Sequence, residues 1–183
     1  GLRTPLVKHG GRFRTLRPEC FAAELLRALL RAHDVETPDA IFCGNAVGTG
    51  GNIARLMALL AGVSECVPAV TLDMQCASAA AALDFAFSKI VGGQGCLYAA
   101  GGMESRSLQP VRRYDEADER HALFPNGEYR TAQFSPQELT ENAMLQGAER
   151  TAREEQVTRE ELEEWAAVSH ARAAAARRDG TLQ

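Results

Sequence analysis

Apolar residues recur at helical spacing over residues 18–34, where Phe21, Leu25, Ala28 and Leu29 fall three or four apart. Pro18 suits the first turn of that helix, because its missing N–H is not needed there. A short strand follows at residues 40–43. The glycine-rich stretch "GTGGN" then opens a short helix that Gly62 stops. "VPAVTLDM", rich in β-branched residues, reads as a second strand. Residues 77–91 form a long, very apolar run ending in Gly92–Gly93, and "CLYAAGG" reads as a third strand. The order αβαβαβ predicts an α/β layered fold with buried strands.

Residues 109–136 change character. Pro110, Pro125, Pro136 and the pair Asn126–Gly127 interrupt a polar stretch of little periodicity. A loop this long in a compact protein is usually functional or mobile. Two helices are expected after it, the first over residues 137–155. The second starts at Thr158, which forms a capping box with Glu161. Leu162, Trp165, Ala166, Ser169 and Ala173 line one of its faces. Arg177 and Arg178 in its last turn, and Gly180 beyond, suit the helix dipole and a C-terminal cap.

Composition narrows the picture. The 183 residues are 45% apolar and 24% charged, with a formal net charge of −4. That is ordinary for a globular domain and leaves no basic footprint for nucleic acid. No run of about 18 apolar residues predicts a membrane span, and no secretory signal is visible. The chain starts at Gly1, so a start codon residue is expected upstream. Five cysteines, Cys20, Cys43, Cys66, Cys76 and Cys96, form no CxxC pair and no zinc framework. They read as free thiols in a reducing, cytoplasmic setting. Cys43 and Cys96 fall inside predicted strands and are expected in the core. The four histidines are scattered and read as surface or core residues.

Cys76 stands apart. It lies in "TLDMQCASAAAALDFAF", between a strand and an apolar helix. A thiolate just before a helix start is stabilised by unpaired amide groups and the positive end of the dipole, which makes it a useful nucleophile. First-turn amides can also stabilise an oxyanion. Within residues 79–87 only Asp84 is ionisable, so the helix is expected to be buried, which strengthens the effect. The other reading of Cys76 is a small buried hydrophobe.

"VPAVTLDMQCASAAAALDFAFSKIVGG" followed by "AAGGMESRSLQP" resembles the N-terminal half of the thiolases, the thiolytic and condensing acyl-CoA acyltransferases. "RTPLVKHGGRF" resembles their opening RTPxGKxxG. "GNAVGTGGNIARLMALLAGV" resembles their GxGQNPARQAALxAG turn and helix. "AERTAREEQVTREELEEWAAVSHARAAAARRDGTL" resembles their AENVA … SREEQDxxAxxSHxRAxxAxxxGxF helices. The likeness runs in register over nearly the whole chain.

The resemblance implies a thiolase-like αβαβα fold. Residues 1–108 would form the N-terminal core, without its first strand, and residues 109–183 a loop region with two helices that binds coenzyme A. It implies that Cys76 accepts an acyl group, in 3-ketoacyl-CoA thiolysis or acetyl-CoA condensation. Coenzyme A thioesters would be substrates, with no permanently bound cofactor. In thiolases a GHP histidine, a second cysteine and an Asn–water pair complete the site from the C-terminal half. No such motif occurs here, so the chain is expected to be a fragment, inactive alone, or one part of a split enzyme. A homodimer or homotetramer is implied, because the Cys76 helix and the preceding strand commonly build the family's dimer interface. Several positions depart from the pattern. Ala79 replaces the glycine of CxSG, Asp73 an asparagine, Gly51 the glutamine of GQNP, Arg106 the methionine of ESMS, and Ala143 the histidine of HMG. Met144 remains as a candidate for the acyl or pantetheine pocket, with core packing the alternative. Arg106 and Ala143 suggest an altered substrate pocket or a non-decarboxylating relative with unusual chain-length choice. The competing function is a non-catalytic thiolase-fold protein that binds acyl-CoA, lipid or a partner subunit.

Overall fold

The structure, a computed structural model, describes residues 1–133, Pro136 and residues 142–181. It divides into two compact units, Gly1–Pro110 and Val111–Gln183.

The first unit is organised around β1 (Ala40–Gly44), which is buried along its whole length. Side chains alternate across a strand, so β1 feeds two cores. Ile41 and Cys43 join one with Ala22, Ala23 and Leu26 of α1 (Pro18–Ala32) and Ile53, Ala54, Met57 and Ala58 of α2 (Ile53–Leu60). Ala40 and Phe42 join the other with Ala82 and Ala86 of α3 (Ser78–Val91). Phe42 also stacks on Tyr98 at 5.6 Å between ring centres. β2 (Ala69–Leu72) and β3 (Tyr98–Gly102) flank β1, both parallel to it, in the order β2-β1-β3. The chain runs outward from β1 to β2, then back across β1 to β3. Right-handed crossovers in opposite directions place α2 and α3 on opposite faces. The predicted α/β layers are therefore present, and the loops after all three strands gather at one edge of the sheet.

Polar side chains fasten this frame. Asn52 caps α2: its Oδ1 accepts from Arg55 N–H at 3.2 Å and from the Thr71 hydroxyl at 2.9 Å, and its Nδ2 donates to Ala69 O at 2.8 Å. The "GTGGN" stretch is thus a structural turn tied to β2. Gly50 and Gly51 both adopt positive φ there, which explains glycine at position 51. At the other end of α2, the Arg27 guanidinium donates to Leu60 O at 2.7 Å and Ala61 O at 3.3 Å, satisfying terminal carbonyls.

Two expectations need correction. α3 is not buried all round: Ser78, Ala82 and Ala86 face inward, while Leu83, Phe87 and Val91 are 57%, 66% and 71% exposed. The sheet covers one face of α3, and the opposite stripe is left exposed. Cys96 is exposed rather than in the core. β3 begins two residues later, because the amides of Cys96 and Leu97 donate to Asp39 Oδ2 at 2.7 and 2.8 Å instead of entering the sheet. Those two bonds hold the Asp39 carboxyl below its usual range.

In the second unit, the polar stretch after residue 110 is built rather than irregular. β4 (Arg112–Arg113) pairs antiparallel with β5 (Glu128–Tyr129). Tyr114 stacks on Tyr129 at 4.3 Å, and the Arg120 guanidinium lies over the Tyr114 ring. Asp118 fixes Arg120 through three bonds of 2.6–2.9 Å. That guanidinium holds the Asp118 carboxyl down at about 2. α4 (Ala143–Glu154) is shorter at its start than expected from sequence, and residues 137–141 of that expectation lie outside the described residues. α5 (Arg159–Arg178) carries the predicted Thr158–Glu161 capping box. Its apolar face is not buried; Trp165 is 70% exposed.

A Cβ added at Gly44 would lie 2.5 Å from Ser78 C and 2.6 Å from Ala79 N, both backbone atoms of the α3 start. Gly44→Ala should cost about 3 kcal/mol in urea unfolding of the full-length protein. Asn52→Ala, which strips a cap and leaves its partners unpaired, should cost about 2 kcal/mol in the same assay. The Asp118 carboxyl is depressed on folding, so its contribution is present above about pH 4 and lost as pH falls toward about 2. Acid titration followed by Tyr114 ring chemical shifts should show that loss, and Asp118→Asn should abolish the transition.

Candidate functional site

The loop after β2 carries Cys76. Asp73 Oδ1 accepts from Gln75 N–H at 2.9 Å, and Gln75 adopts φ +51°, a left-handed conformation uncommon for a residue other than glycine. The chain then reverses, with Ala77 N–H donating to Met74 O at 3.0 Å and Ser78 N–H to Gln75 O at 3.1 Å. α3 begins at Ser78, two residues past the cysteine. Cys76 is exposed, and among the described residues its Sγ has no hydrogen-bond or ionic partner. The small-hydrophobe reading of this residue is therefore not what the fold provides. The amides of Ala77 and Ser78 are spent inside the turn, so those two first-turn groups are not free for an oxyanion.

The neighbouring loops are tied down at the same sheet edge. Glu104 Oε2 accepts from the amides of Ala46 and Val47 at 3.0 Å each, and Oε1 from Asn45 Nδ2 at 3.1 Å. Asn45 is buried, donates also to Met103 O at 2.9 Å, and its amide bonds Leu72 O at 3.0 Å. This carboxylate is occupied in joining the loop after β1 to the loop after β3. Neither Asn45 nor Ser78 was marked by the sequence reading as part of this edge. Serine two residues past the cysteine, at a helix start, was the available signal for the latter.

The other thiols differ from Cys76. Cys43 is buried, and that burial pushes its thiol up to about 11. Cys66 is exposed in a turn, and Cys20 is half-buried on α1 with its sulfur 3.2 Å from Arg17 Nη2. No group of three His, Cys, Asp or Glu residues among the described ones could hold a metal ion. No described helix is long and apolar enough to cross a membrane.

A family model described as "Thiolase, N-terminal domain" matches residues 1–183. The chain belongs to the thiolase family. It is 37% identical over 174 residues to VraB of Staphylococcus aureus strain MW2, and 36% identical over 178 residues to YhfS of Bacillus subtilis strain 168, both provisionally named acetyl-CoA C-acetyltransferases. These alignments cover 92% and 97% of this chain, and the chain spans 44% of each relative's length. The crystal structure of the Bacillus anthracis acetyl-CoA acetyltransferase superposes with a TM-score of 0.86 at 26% identity, over 99% of this chain and 47% of that one. The thiolase-like fold implied by the motifs is thus present.

Against the thiolase pattern, Ala79 is accommodated because Gly102 faces it: a Cβ on Gly102 would lie 2.9 Å from the Ala79 Cβ. Arg106 is exposed on the rim of a groove of about 430 Å³ between residues 2–9 and 102–107. Ala143 and Met144 open α4 in the second unit, and Met144 is 67% exposed, so core packing is not its role among the described residues. Arg113 is paired with Glu116 at 2.7 Å.

Thiol exposure gives a direct prediction. Brief treatment of the native full-length protein with iodoacetamide near pH 8 should modify Cys76 and leave Cys43 unmodified, since Cys43 is both buried and protonated there. Peptide mapping by mass spectrometry reads the outcome.

Proposed function

We propose that the protein containing this chain is a thiolase-type acyl-CoA C-acyltransferase that carries its acyl group on Cys76. The observation that carries the reading is the exposed thiol presented by a left-handed turn at the start of α3, within a chain of the thiolase family. The Cys76 thiolate attacks the carbonyl carbon of an acyl-CoA, a new C–S bond forms, the bond to coenzyme A breaks, and the departing thiolate takes a proton. The acyl-enzyme then passes its acyl group to the second substrate. That substrate is coenzyme A in thiolysis and the enolate of a second acetyl-CoA in condensation. Splitting the reaction this way replaces one difficult step by two easier ones.

The base for Cys76 and the second acid/base group come from residues outside this chain, as the family resemblance implies. Met144 contributes to the acyl or pantetheine pocket, with Arg106 and Ala143 altering which acyl groups fit. The protein works in the cytoplasm as a homodimer or homotetramer, with the strand before Cys76 and α3 at the interface.

Incubating the full-length protein with acetyl-CoA should place one acetyl group on the Cys76 peptide, detected by mass spectrometry. Cys76→Ser should remove that label and lower thiolysis by at least about a thousandfold. Full thiolysis by the serine variant would refute the assignment. Binding of acetyl-CoA without any acetylated Cys76 would instead favour a non-catalytic acyl-CoA-binding protein.

A further inference from the structure

We propose that Ser78 is a positioning residue whose buried hydroxyl locks Gln75 in its left-handed conformation and so fixes where the Cys76 thiol is presented. The inference rests on the reading of Cys76 as the acyl-accepting residue and adds to it the device that aims the sulfur.

The turn is strained at a single residue. Gln75 has φ +51°, a conformation that is sterically unfavourable for a residue carrying a side chain. Glutamine has no short side chain with which to offset that cost locally, as asparagine or aspartate does. The conformation is held from outside the residue: Asp73 Oδ1 accepts from Gln75 N–H at 2.9 Å on the exposed side, and Ser78 supplies the buried contacts. Its Oγ accepts from Met74 N–H at 2.8 Å and donates to Gln75 O at 2.6 Å, bracketing the strained residue from both sides. Ser78 is only 5% exposed, so neither bond competes with water.

Two further observations separate this hydroxyl from an ordinary helix cap. The residue at the cap position of α3 is Ala77, and no side chain caps the helix there. Ser78 is the first residue of the helix proper, and both of its hydroxyl bonds run backward into the turn. Its backbone, in turn, is seated against β1: the space at Gly44 is closed by Ser78 and Ala79 atoms within 2.7 Å of where a Cβ would be. The lock is therefore anchored to the central strand, and Cys76 is the residue it holds between two fixed points, Gln75 and Ser78.

The test uses the full-length protein and two readouts at Cys76: single-turnover acetylation by acetyl-CoA, and the rate of iodoacetamide alkylation across pH. Ser78→Ala should slow acetylation by about 10- to 100-fold, the scale of an ångström-level misplacement of a reacting group. The acetyl-CoA concentration giving half-maximal rate should stay within about twofold, because binding contacts are untouched. The alkylation profile should change in parallel. Adding Gln75→Gly to Ser78→Ala should restore at least about a tenfold share of the loss, since glycine adopts positive φ without strain. A loss of rate that glycine does not restore, or a Ser78→Ala variant acetylated at the parent rate, overturns the proposal. Should Ser78→Ala fail to fold, Gln75→Val tests the same lock with Ser78 intact. A β-branched side chain resists positive φ, so slowed labelling is expected and an unchanged rate overturns the idea. If the parent protein takes no acetyl group at all, the acyltransferase reading has failed, and alkylation alone decides whether Ser78 governs the thiol.

Discussion

A strand that must be apolar on both faces imposes most of what surrounds it. β1 contributes Ile41 and Cys43 to one core and Ala40 and Phe42 to the other. Neither set can be exposed without losing the burial that stabilises the layers, at roughly 25 cal/mol per Å² of apolar surface. With helices on both faces and parallel neighbours on both edges, the carboxyl ends of β1, β2 and β3 must share one rim. The chain uses that rim for Asn45, Cys76 and Glu104, and open α/β sheets generally bind ligands at such an edge. The position of the thiol is thus a consequence of the pairing of strands and not an independent feature.

At the rim, conformations are held by polar side chains acting on backbone. Glu104 accepts from two successive amides, Ser78 brackets Gln75, and Asn52 joins α2 to β2. Each is a polar group whose partners are main-chain atoms or neighbouring side chains, and Glu104 ties the loop after β1 to the loop after β3. Gly44 and Gly102 complete the arrangement by allowing α3 to approach the sheet more closely than a side chain would permit.

Much of this was legible in the sequence. Helical spacing, the β-branched strand before Cys76 and the Thr158–Glu161 capping box all lie close to where the pattern put them, because each depends on local chemistry. The motifs also carry the family, and the cysteine at the strand–helix seam is marked by its place between the two patterns. What the pattern could not supply was non-local. Cys96 looked like a strand residue, yet Asp39, 57 positions away, captures its amide. The aromatic packing of Tyr114, Phe124 and Tyr129 gives order to a stretch without periodicity. The left-handed Gln75 has no signature of its own, since neither glycine nor asparagine marks it. α3 reads as interior from composition, but how many of its faces are covered depends on what lies beside it.

Leu83, Phe87 and Val91 fall four residues apart and form a greasy seam along the outer flank of α3. Produced by themselves, residues 1–183 would carry this seam into water, where one copy's seam is the best available cover for another's.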